Sequence, residues 1–159
     1  MFDLAVSYFH IFISAAAGSY FLWSDRTYDK YYIIFFCLLN ISWILFSDEC
    51  LLTYLFKIYS DEKYKLGTDN RVSDYDIVFG EELSPKVVIF LLFMYLVNMC
   101  VVLYYSVNKL PAVATILAYL MYVVMLRIEN VSATTATNIK SVNLLVNALV
   151  VMFLLYQRK

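Results

Sequence analysis

Residues 87–105 read VVIFLLFMYLVNMCVVLYY, nineteen consecutive positions without a formal charge. A helix rises ~1.5 Å per residue, so a run of this length covers the ~30 Å hydrocarbon core of a bilayer. Ser84-Pro85 just ahead supplies a helix-start signal, with Ser as N-cap and Pro at the first helical position. Working outward, four more apolar runs of similar kind lie at about 4–23, 31–47, 110–126 and 142–156. Aromatic residues crowd their ends (Tyr20 and Trp23, Tyr31 and Tyr32, Tyr104 and Tyr105, Tyr156), as in the interfacial belt of membrane helices.

Composition agrees with the pattern. Of 159 residues, 63% are hydrophobic and 16% charged, against roughly 45–50% and 25% in globular chains. A water-soluble domain of this length cannot hide so much apolar surface. The expected fold is all-α: a polytopic transmembrane helical bundle of about five spans, forming a single membrane domain. Asp3 is the only charge ahead of the first run, where a secretory signal wants Lys or Arg. Residues 4–23 therefore read as a span. Seven Lys and Arg fall on the N-terminal side of such a bundle and five on the other, too small a difference to assign orientation.

The connections differ in character. Asn108-Lys109 with Pro111 reads as a tight turn between the third and fourth spans, and Arg127 to Ser141 as a short polar link. Residues 49–60 put Leu51, Leu52, Leu55, Phe56 and Tyr59 on one helical face and Glu49, Thr53 and Lys57 on the other. That pattern suits an amphipathic helix lying in the membrane interface, or a continuation of the second span. Residues 60–84 form one acidic extramembrane loop with seven acids. Asp69, Arg71, Asp74, Asp76, Glu81 and Glu82 are its candidate partner-binding residues.

Inside a bilayer, polar exceptions are where function is sought. Asp48-Glu49 ends an apolar run; at headgroup level Ser47 or Asp48 would cap the next helix, whereas at depth the pair would suggest a proton or cation site. His10 lies midway along the first span, and a hydrogen bond to another helix is its expected role. Asn40, Asn98, Asn143 and Asn147 sit within spans and read as interhelical glue, as do Thr115 and Tyr119. Ser14 with Gly18, and Ala15 with Ser19, are small-xxx-small pairs that permit close approach. Cys37, Cys50 and Cys100 are odd in number and lie in or beside apolar runs, so they read as small buried hydrophobes. The sequons at Asn40 and Asn130 lie in or against spans and are poor glycosylation acceptors. Asp74-x-Asp76 with Gly80 fails the calcium-loop spacing at Val78, and hydrolase and ion-filter signatures are absent. No cofactor, metal or catalytic residue is expected.

The stretch Trp43-Ile-Leu-Phe-Ser-Asp-Glu49-Cys50-Leu-Leu-Thr53-Tyr54-Leu-Phe-Lys57, followed by Tyr64-Lys-Leu-Gly67, resembles a segment of small multi-spanning membrane proteins. Those proteins belong to large double-stranded DNA viruses of algae and protists. The resemblance covers Ile41 to Asp76 and implies a component of a virion internal membrane, touching minor capsid proteins. It carries no catalytic residues. Together these readings point to a structural or interaction protein, oligomeric or part of a larger membrane complex. Its partners would be the lipid bilayer and capsid or other membrane subunits, and a net charge of −1 gives no reason to expect nucleic acid. The alternative is a small channel or transporter subunit whose polar path uses Asp48, Glu49, His10 and the asparagines.

Overall fold

The computed structural model describes residues 2–68, 72–106, 109–128 and 131–157. Among them every regular element is a helix: α1 (Phe2–Gly18), α2 (Tyr20–Trp23), α3 (Asp29–Leu45), α4 (Leu51–Ser60), α5 (Ser73–Tyr105), α6 (Lys109–Arg127) and α7 (Ala133–Tyr156). Three of them, α5, α6 and α7, are long and apolar enough to cross a membrane. That much is compatible with a multi-pass integral membrane protein. Helices α1 and α3 have 17 residues each, at the short end of the spanning range.

Several boundaries differ from the sequence reading. Residues 73–84 belong to α5, so the acidic segment is in part helical. Its break is Gly80, at φ 75 and ψ 158, a region open to glycine alone. Pro85 therefore sits inside α5 rather than opening it, one turn past the break, where it forfeits at most one helical hydrogen bond. The link before α7 is shorter than expected, because Ser132 caps the helix by accepting from the Thr135 N–H. Residues 133–141 are then helical despite their Thr and Asn content. Asn108 of the expected tight turn, the Asn130 sequon, and the loop candidates Asp69 and Arg71 lie outside the described residues.

The chain divides into two compact units. The first comprises residues 1–23 and 45–98. Within it α1 lies along α5 in the parallel sense: Gly18 faces Leu91 and Met94, and the Asn98 amide takes the Gly18 carbonyl and the Phe21 N–H. The missing Cβ of Gly18 permits that approach, since one placed there would sit 3.6 Å from the Met94 Cβ. The second unit comprises residues 24–44 and 99–159. There Ile44 packs with Tyr122 and Met125, and Asn143 of α7 donates to the Ala118 carbonyl of α6. Phe36 and Trp43 of α3 stack against Tyr119 of α6.

A buried charge network as the candidate functional site

The first unit holds most of the buried ionisable side chains, and Gly80 brings them together. Tyr95 donates to the Ser14 carbonyl at 3.3 Å, and Asp74 pairs with His10. On one straight helix Asp74 and Tyr95 would be ~31 Å apart, while their partners on α1 are one turn, ~6 Å, apart. The helix must double back at Gly80. Residues 73–79 therefore return along α1, and Asp74 arrives opposite His10 instead of standing in a solvated loop.

The centre of the network is His10 Nδ1 against Asp74 Oδ2, with both side chains buried. Thr53 of α4 donates to the other carboxylate oxygen of Asp74 at 2.9 Å. Tyr75 lies against the imidazole ring at a centroid distance of 5.0 Å. Tyr95 reaches the Ser14 carbonyl one turn further along α1, so residues from α1, α4 and both arms of α5 meet in this unit. Each charged or polar atom named has a partner, as apolar surroundings require.

A second cluster flanks the first along α4. Lys57 Nζ lies 3.5 Å from Glu49 Oε1 and 5.2 Å from the centroid of the Tyr64 ring. The Tyr64 hydroxyl donates to the same Glu49 oxygen. Glu49 Oε2 is buried and has no hydrogen-bond partner among the described residues. Thr53 and Lys57 are four apart on one face of α4, and Glu49, just ahead of the helix, joins them at the same spacing, as the sequence suggested. That face is turned inward, at 4%, 1% and 5% exposure, while Leu51, Leu55, Ile58 and Tyr59 point out. The helix is inside-out relative to an interfacial amphipathic helix.

The cap of α4 also differs. Cys50, not Ser47 or Asp48, occupies the N-cap, and it makes no side-chain capping bond. Ser47 and Asp48 instead carry left-handed φ values of 52 and 72, a turn that delivers Glu49 and Cys50 into the unit. The thiol is half-buried.

The remaining candidates are structural or peripheral. Asn98 bonds the end of α1 and the start of α2, bridging the break at Ser19. Asn143 and Asn147 bond α6 and each other. The Asn40 amide is buried without a partner among the described residues, so its sequon is out of reach. Asp76 is half-buried, and Glu81 and Glu82 are exposed. Sequence reasoning missed Tyr64 and Tyr75 as site residues, since a tyrosine beside an apolar run carries no local sign of the carboxylate or imidazole it will meet. No family model, curated protein or solved structure matches the chain.

Proposed function

We propose that the chain is a five-span integral membrane protein with a structural role, one subunit of a larger membrane assembly. The observation that carries this reading is the inward-facing ionic stripe of α4. The first unit uses its charges to lock α4 and residues 73–79 onto α1, and presents Leu51, Leu55 and Tyr59 outward. Such a device builds a rigid apolar-faced module. Five spans are supported by direction: if α1 and α5 cross side by side in the same sense, the chain between them must recross once, which falls to α3. Helices α6 and α7 then complete the count.

A channel has less support, since His10, Glu49, Asn98, Asn143 and Asn147 each have partners inside their own unit. The resemblance of residues 41–76 favours a virion internal membrane as the host, with Glu81 and Glu82 as the outlying contact residues. Mass spectrometry of what co-purifies in mild detergent tests the reading. Stoichiometric capsid or membrane-complex subunits are expected. A clean homo-oligomer, free of other proteins, would overturn it.

A further inference from the structure

The second unit gathers cations at one of its ends, and the reading above gives them no task. Side-chain contacts fix which helix ends meet there. Cys37 pairs with Thr115 at 3.3 Å, and further along Ile44 packs with Tyr122 and Met125, so α3 and α6 run in the same sense. Their first turns therefore share one end of the unit. Lys30 donates to the Gln157 carbonyl at 2.8 Å, which brings the last turn of α7 to the same place. Arg26 lies over the Tyr105 ring, 5.4 Å from its centroid, so the end of α5 joins them. Lys109 opens α6 and is exposed, and Arg158 and Lys159 directly follow Gln157 in the sequence. By sequence, the helix ends that gather here carry five cations against two acids, Asp25 and Asp29.

The two acids do not cancel this charge. Asp29 is buried beside Arg26 at 3.9 Å, and Asp25 accepts the Thr27 N–H within its own turn. Around the same end Tyr28, Tyr31, Tyr104, Tyr105 and Tyr156 are all exposed, and tyrosines so placed mark the headgroup level of a bilayer. We propose that this end of the second unit is a docking surface for the headgroups of anionic phospholipids. The sign of the charge selects the anion, and the ring of tyrosines sets it at the depth where lipid phosphates lie. A free phosphate carries the same charge but has no acyl chains to hold it at that depth. Each cation close to an anionic surface strengthens attachment about fivefold. In the five-span reading the seven acids of residues 60–84 fall on the opposite face, so they leave this end uncompensated. The inference rests on the membrane placement in the proposed function, and not on which proteins assemble with the chain.

The test is native mass spectrometry of the full chain in mild detergent, offered equimolar phosphatidylglycerol and phosphatidylcholine with identical acyl chains. Retention of phosphatidylglycerol at least about fivefold over phosphatidylcholine is expected. Lys109→Gln, Arg158→Gln and Lys159→Gln together should bring the ratio close to one. Arg26 and Lys30 stay in place in that variant because they pack against Tyr105 and bond Gln157. As a control, Lys63→Gln, Lys65→Gln and Lys86→Gln remove the same charge from exposed positions on the other face and should leave the ratio unchanged. Millimolar inorganic phosphate, added at constant ionic strength, separates the two sources of the anion. Phosphatidylglycerol should stay bound, and its displacement would mean a site for free phosphate and overturn the proposal. Equal retention of the two lipids would also overturn it, as would a preference that survives the first triple variant or falls equally in the control. If the first variant does not fold, the ratio in the unaltered chain still decides. Co-purifying subunits are read separately, so a lost lipid preference with those subunits present strikes this inference alone. Their absence with the preference intact strikes the structural reading alone.

Discussion

His10 on α1 and Asp74 on α5 lie 64 positions apart in the chain and meet as a buried hydrogen-bonded pair. The pair exists because α5 reverses at Gly80, and it ties the start of that helix to the middle of α1. Removing one member leaves the other buried and uncompensated, which in comparable sites costs about 3–5 kcal/mol. Asp74→Asn should therefore lower the thermal unfolding midpoint in detergent sharply. The double replacement His10→Phe with Asp74→Leu should recover most of the loss, since apolar groups need no partners. Equal loss in the single and double variants would mean that the pair contributes shape rather than charge compensation.

Glu49 supports a graded comparison. Lys57→Met strips the carboxylate of its cation and should cost about 3–5 kcal/mol. Tyr64→Phe removes one hydrogen bond to a charged acceptor and should cost about 1.5–3 kcal/mol. Denaturant titration in the same detergent ranks the two. The opposite order would contradict the placement of Lys57 Nζ at 3.5 Å from the Glu49 carboxylate.

Gly80 separates backbone strain from crowding. Nothing lies within 4 Å of a Cβ added there, so Gly80→Ala meets open space and pays only for φ 75. A cost of about 1–3 kcal/mol is expected. Because the reversal positions Asp74, the same variant should weaken the His10–Asp74 coupling energy in a double-mutant cycle. An alanine that leaves both quantities unchanged would argue against the doubled-back arm.

How far the sequence carried can be judged from these residues. Hydropathy alone located the cores of α5, α6 and α7, the helices long and apolar enough to cross a membrane, because a span must be almost free of charge whatever its neighbours. It misjudged edges where polarity and helicity part company. Residues 133–141 are polar yet helical behind Ser132, and 73–84 are acidic yet helical around Gly80. Periodicity found the Glu49, Thr53 and Lys57 stripe but gave it the wrong direction, since a pattern does not say whether water or protein receives the polar face. The partnership of His10 with Asp74 depends on a chain reversal and on long-range packing. No local spacing encodes either.

The seating of α1 on α5 lends itself to cross-linking. The Cβ built on Gly18 lies 3.6 Å from that of Met94, within the range a disulfide spans. Gly18→Cys with Met94→Cys should therefore close on mild oxidation in membranes, seen as protection of both thiols from alkylation. Thiols that stay free and reactive would rule out this register.

The topology offers the most direct measurement. Epitope tags on the two termini, probed with a membrane-impermeant protease on sealed vesicles before and after permeabilisation, report which face each terminus occupies. Five spans with α1 and α5 crossing in the same sense put the termini on opposite faces, so one tag should be cut in intact vesicles and the other only after permeabilisation. Two tags cut together, or protected together, would mean an even number of crossings and would contradict the five-span reading.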